Sequence, residues 1–166
     1  MSGCGARLLD YAGHYRDAGL ALARRVIDVS AFLAQASGWD RVPCASLHAR
    51  VAIHEPCTLQ NVMRSGGAAQ ALLARIPDLV SDVLPGNDQC CGAAGVYFLS
   101  QPDMADALRA DKLVAIREAA PQFLVTSNVG CALFLAEGVR SSKLKTEVLH
   151  PVSLLARQLG FKGKLP

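Results

Sequence analysis

Gln89-Cys90-Cys91-Gly92-Ala93-Ala94-Gly95 sets two adjacent thiols at the head of a run of small residues. Neighbouring cysteines point their side chains apart, and a disulfide between them needs a strained ring outside ordinary bridge geometry. The doublet therefore reads as a place where both sulfurs are used, each on its own. Just upstream, Leu79 to Leu84 has strand character and is stopped by Pro85-Gly86-Asn87. The pair thus sits on a loop leaving a strand.

Moving outward, two further cysteines stand beside turn formers. Cys57 follows Pro56 in His54-Glu55-Pro56-Cys57, and Cys131 follows Gly130 in Ser127-Asn128-Val129-Gly130-Cys131. Each again comes just after a strand-like run, Arg50 to His54 and Phe123 to Thr126. Helices are predicted between the strands. One runs from Gly66-Gly67 through Leu72, Leu73 and Ile76, and another over Met104 to Ala119, with Ser100 as cap and Pro102 in the first turn. A third runs from Cys131 to about Glu137; Glu147-Val148-Leu149 makes a fourth strand, and Pro151 starts a last helix with Val152, Leu155 and Leu159 inward. The tail Lys162-Gly163-Lys164 reads as solvated.

This alternation predicts an α/β fold: a small parallel sheet with helices on both faces, joined by right-handed crossovers. Ligands of such sheets bind outside the C-terminal ends of the strands. Cys57, Cys90, Cys91 and Cys131 all fall on that edge, so the topology alone brings them together, while Cys44 lies apart.

Before residue 48 the pattern is helical. Cys4 to Tyr15 is helix-like, and Leu22, Val26, Val29 and Leu33 fall on one face of a second helix that ends at Ser37-Gly38-Trp39-Asp40. Gly3-Cys4-Gly5-Ala6 followed by Val29 to Leu33 parallels Gly130-Cys131-Ala132 followed by Val152 to Ala156. Residues 1–36 are therefore expected to be the helical remnant of a preceding repeat, 37–47 a linker, and 48–166 one whole repeat. A stripe without its own repeat exposes apolar surface, which predicts self-association.

At 166 residues one domain is expected, and 51% hydrophobic against 19% charged residues marks it as globular. A net charge of +3, with the basic residues scattered, argues against nucleic acid as a partner. The start Met1-Ser2-Gly3-Cys4-Gly5 lacks the marks of a signal peptide, which points to the cytoplasm. The uncharged run from Ala119 to Ala136 contains Pro121, Ser127, Asn128 and Gly130, so a strand and a turn are expected there, not a membrane span. Six cysteines in a cytoplasmic chain suggest metal or redox chemistry, not disulfides.

A tetrahedral zinc site usually draws on Cys-x-x-Cys pairs, and none is present. Adjacent thiolates reach different atoms of a multi-iron cluster more easily than one ion, which favours an iron–sulfur cluster over the zinc alternative. Helix N-termini near Cys91 and Cys131 would steady the thiolates. His54 and His150 each end a strand and join Gly92 and Gly130 as candidates for the layer behind the ligands; a satisfied core histidine is the competing reading for both. Glu55, Ser127 and Asn128 read as turn formers, Cys44 as a buried free thiol, and Cys4 as a cysteine without its natural neighbours. No paired carboxylates, Ser–His arrangement or phosphate loop is visible, so no substrate chemistry of its own is expected. A zinc-binding or metal-free docking domain is the second reading, and a thiol–disulfide enzyme using Cys90 and Cys91 ranks last.

The pattern Cys57 … Cys90-Cys91-Gly92 … Gly130-Cys131 resembles the cysteine-rich CCG domain shared by the cysteine-rich chains of heterodisulfide reductase and anaerobic glycerol-3-phosphate dehydrogenase and by the lactate-utilisation and glycolate oxidase iron–sulfur proteins. His54 to Gln60, Cys90 to Tyr97 and Ser127 to Cys131 look most like the glycolate oxidase protein. The resemblance covers about residues 50–160. It implies Cys57, Cys90, Cys91 and Cys131 as ligands of a cluster, of 4Fe-4S type. It further implies electron transfer from flavin-containing subunits as glycolate becomes glyoxylate, in a complex associated peripherally with the inner face of the cell membrane. Family repeats often finish in Cys-x-x-Cys, but Phe134 stands three residues after Cys131. A five-thiolate site is therefore not expected here, and four ligands remain. The two-cluster ferredoxin-like region that begins such proteins is absent from this sequence.

Overall fold

The computed structural model describes residues 13–161. Strands β1 (Ala49–Ile53), β2 (Leu79–Val83), β3 (Phe123–Val125) and β4 (Glu147–Leu149) form one sheet in the order β2-β1-β3-β4. Every pairing is parallel, with Val51 opposite both Ser81 and Phe123, and Val125 opposite Leu149. The expected α/β fold is present, and the expected strand boundaries hold within a residue.

Helices α1 (Arg16–Ala23) and α2 (Val29–Gln35) precede the sheet, and α3 (Cys57–Asn61) with α4 (Ala68–Leu73) joins β1 to β2. Helices α5 (Tyr97–Ser100) and α6 (Pro102–Ala119) join β2 to β3, α7 (Val129–Ser141) joins β3 to β4, and α8 (Pro151–Gln158) follows β4. Alternate strand residues feed opposite cores, as the two-residue period of a strand demands. Val51, Ile53 and Val125 meet Leu72 and Leu73 of α4 and Leu154 and Leu155 of α8. Ala52 and Leu124 meet Ile116 of α6 and Leu135 and Val139 of α7 on the other face. Full burial of each such leucine contributes about 1.5–3 kcal/mol relative to exposure.

One consequence positions the site. Strands β1 and β3 are neighbours, yet the helices that follow them lie on opposite faces of the sheet. Their outgoing loops diverge, and a crevice opens beyond the strands' carboxyl ends.

The stripe Leu22-Val26-Val29-Leu33 does not lie on one helix. The chain leaves α1 after Ala23, and Asp28 caps α2 by accepting from the N–H groups of Ser30 (2.8 Å) and Ala31 (3.3 Å). A side-chain cap stabilises a new helix start and so competes with continuing the old one. Leu33 packs on the first core, whereas Leu22 and Val29 stay exposed. Helix α2 packs against α4 and α8. Backbone bonds from Ala45 to Gln158 and from Leu47 to Pro77 tie the segment 37–47 to the sheet domain. The helix expected over Cys4 to Tyr15 lies outside the described residues except for a 3₁₀ turn at Gly13–Tyr15, and so do Cys4 and Lys162-Gly163-Lys164. No helix among the described residues is long and apolar enough to cross a membrane.

Candidate metal centre

Three loops bring four thiols to one cavity of ≈400 Å³, lined by Cys57, Cys90, Cys91 and Cys131 with Pro56, Gly95 and Asn128. Pro56 ends the extended run after β1 and places Cys57 at the first residue of α3. The Pro85-Gly86 turn carries the chain from β2 to Cys90 and Cys91. Asn128 caps α7, its side-chain oxygen accepting from the N–H of Gly130 (2.9 Å) and of Cys131 (3.2 Å), so Cys131 is held in the first turn. Cys44 lies elsewhere, half-buried beside Trp39 and Arg75, and burial pushes its thiol up.

Against the cavity wall lies a compact trio, two lining cysteines and the buried His54. One ring nitrogen of His54 and the Cys91 and Cys131 sulfurs all lie within 4.8 Å of one another, and all three residues are buried. His54 continues β1, donating its backbone N–H to Val125 at 2.8 Å, so its position is fixed by the ladder. Neither of its ring nitrogens has a hydrogen-bond partner among the described residues. Cys57 and Cys90 are the other two lining cysteines, and the Gly92 N–H donates to the Cys90 sulfur at 3.4 Å.

Protons are held unevenly. The Cys91 thiol falls well below the usual thiol range, chiefly because Cys131 donates to its sulfur, with His54 and the Ala93 N–H assisting against burial. Cys131 is pushed far up by the same bond, by burial and by the Cys91 charge. The two titrate as a pair that releases one proton readily and keeps the second. Burial, followed by the nearby Cys90, raises Cys57. A bound cation reverses these upward shifts, because it stabilises every thiolate at once. A set of soft sulfurs with one imidazole fits iron or zinc.

Not every expected neighbour arrives. His150 caps α8, its Nδ1 accepting from Val152 at 3.1 Å, and lines a separate pocket with Asp28 and Ser127. The helix after Gly92 starts only at Tyr97 and is four residues long, so it does not begin at Cys91. Backbone N–H groups of Gly92 and Ala93 serve its loop instead. Glu55 braces the Cys57 loop, accepting from the Gly67 N–H and from Gln60 Nε2 (3.1 Å), while its own N–H donates to Asn87 at 3.0 Å.

Two supports escaped the sequence reading. Lys112 is 2% exposed, donates to the Gly86 carbonyl and lies in the field of the thiols and Asp88. Burial lowers its pKa, and the nearby anionic groups oppose that. Its signal was helical spacing, since Ala105, Lys112 and Ile116 are the buried positions of α6. Phe134, one turn after Cys131, lies 4.2 Å under the Arg109 guanidinium and beside Phe98.

The model of the cysteine-rich CCG domain family matches residues 51–136. The chain is 33% identical over 145 residues to the glycolate oxidase iron–sulfur subunit of Escherichia coli (strain K12), covering 85% of this chain and 35% of that protein. It is 26% identical over 168 residues to the probable glycolate oxidase iron–sulfur subunit of Bacillus subtilis (strain 168), covering 96% and 38%. Lactate utilization protein A of Bacillus pumilus (strain SAFR-032) is 24% identical over 135 residues, covering 81% and 56%. The chain thus spans only about a third to a half of these relatives' lengths.

Proposed function

The chain belongs to the cysteine-rich CCG domain family, and on that premise we propose that its crevice holds an iron–sulfur cluster and serves electron transfer in an oxidoreductase complex. The observation that carries this reading is the convergence of Cys57, Cys90, Cys91 and Cys131 on one cavity from three separate loops. When bound, such a cluster supplies one-electron transfer, and the 4Fe-4S type suits four thiolate ligands.

The chain's own residues have distinct parts in this scheme. The four thiolates hold the iron, and the Gly92 N–H neutralises charge on the Cys90 sulfur. Lys112 offsets the negative charge of the set from behind. Exposed Val96 and Val129 are chain neighbours of the cavity-lining residues Gly95, Asn128 and Gly130 and offer apolar surface to a redox partner. By analogy with relatives named for glycolate oxidase, the electrons come from flavin-bearing subunits that oxidise glycolate or a related 2-hydroxy acid. The site of action is the cytoplasm, at the inner face of the membrane through the complex. Residues 1–36 then belong to the end of a preceding repeat, 37–47 to a linker and 48–166 to the cysteine-rich domain itself.

A second reading, a zinc-binding docking domain, is favoured by one observation: the trio of His54, Cys91 and Cys131 spans no more than 4.8 Å, as donors to a single ion do. Iron and acid-labile sulfide analysis of anaerobically purified protein separates the two. Both elements are expected together; one equivalent of zinc without sulfide overturns the iron–sulfur reading. Cys91→Ser or Cys131→Ser should abolish cluster assembly, and Cys44→Ser should leave it intact.

A further inference from the structure

We propose that His54 is a direct metal ligand, its imidazole nitrogen completing an N,S,S donor set with the Cys91 and Cys131 sulfurs. This rests on the reading of the crevice as a metal centre, but on neither choice of metal. The argument begins with burial. His54 is 2% exposed, and neither ring nitrogen has a hydrogen-bond partner among the described residues. A buried polar group without a partner costs on the order of 1–3 kcal/mol, and the groups within reach of this ring are the Cys91 and Cys131 sulfurs.

Distance then identifies what the ring meets. Donors on one tetrahedral metal with bonds of about 2.0–2.3 Å lie ~3.5–3.8 Å apart. The three donor atoms already lie within 4.8 Å, so rotamer adjustments of about an ångström close the set without moving the backbone. The backbone is anchored on both sides, His54 by its bond to Val125 and Cys131 by the Asn128 cap. Chemistry agrees, because neutral imidazole and thiolate are the ordinary ligand pair for zinc and iron.

The fold also supplies a reason for nitrogen here. Phe134, one turn after Cys131 on α7, carries no donor atom, and its ring packs against the Arg109 guanidinium and Phe98. His54 offers a donor from the strand side instead. Four sulfurs then line the crevice, with the His54 nitrogen next to two of them.

Zinc alone is the probe. The full chain, reduced and freed of metal, is loaded with one equivalent of Zn²⁺, and its coordination shell is read by X-ray absorption. One imidazole nitrogen beside two or more sulfurs is expected. His54→Ala should lose the nitrogen and weaken zinc binding by at least 10-fold, and His54→Cys should restore affinity with an all-sulfur shell. A wild-type shell of sulfur only overturns the proposal, as does an affinity unchanged in His54→Ala; the wild-type spectrum needs no variant to fold. Failure of iron and sulfide to assemble would sink the electron-transfer reading while leaving this result standing. A cluster-forming protein whose zinc shell lacks nitrogen would do the reverse.

Discussion

At Gly92 the backbone turns through φ +89°, and an added Cβ would collide with the Ala105 carbonyl oxygen and press on the Phe134 ring. Two costs therefore meet at one residue: left-handed strain of about 1–2 kcal/mol and overpacking of about 1–3 kcal/mol. Gly92→Ala should lower stability by roughly 2 kcal/mol or more, read as a drop in denaturant midpoint at constant slope. Gly95 is the internal control, since φ is +55° there but nothing lies within 4 Å of its Cβ position. Its alanine variant should lose only the strain, and equal losses at both sites would remove the packing argument. The four cysteines of the cavity were legible because each follows a strand-like run, and topology does the rest. His54 was legible as a neighbour of the thiols but not as a candidate ligand, because only the structure shows its ring buried within reach of the Cys91 and Cys131 sulfurs. Lys112 escaped because a lysine in a helical stripe ordinarily reads as a solvated position.

Among the elements, β4 and α8 are stapled by a two-pronged pair: Arg157 donates to both carboxylate oxygens of Glu147, at 2.9 and 2.7 Å. The hydrogen bond from Arg157 holds the Glu147 carboxyl below its ordinary pKa of 4.5. A depressed folded pKa gives stability that is present above the unfolded pKa and lost as pH falls through the folded one. The side chains are 37% and 49% exposed, so solvent screening limits the pair to about 1 kcal/mol or less. Glu147→Gln should cost about that much at neutral pH, and the gap to wild type should close in acid denaturation series carried below pH 4.5. A gap that does not change with pH would mean packing, not charge, joins the two elements. The strands were legible because β-branched runs ended in Pro or Gly. The break between α1 and α2 was not, because apolar spacing runs across it and only the Asp28 cap contact reveals the new start.

Among the exposed large apolar side chains of the described residues, two groups stand out. Leu22, Ile27, Val29 and Phe32 lie on the helical segment before the sheet, and Val96, Leu99, Val129 and Leu133 lie on the segment after the cysteine doublet and in the first turns of α7. Parallel topology explains the second region, since loops at the carboxyl edge must stay open for the site they build. It does not explain the first, where α2 buries Leu33 on the core yet leaves Phe32 59% exposed. Water contact with such a patch is unfavourable by roughly 25 cal/mol per Å², and covering it against a second copy is one way to remove it. The chain should therefore associate with itself as concentration rises, seen by light scattering as a growing mass. Phe32→Glu should shift that rise to higher concentration, because a carboxylate is costly to bury in an apolar contact. Leu133→Glu serves as the comparison. If it alone disperses the protein, the copies meet through the exposed side of α7; if the wild type stays monomeric at high concentration, neither patch reaches the ~1,000 Å² that a specific interface buries.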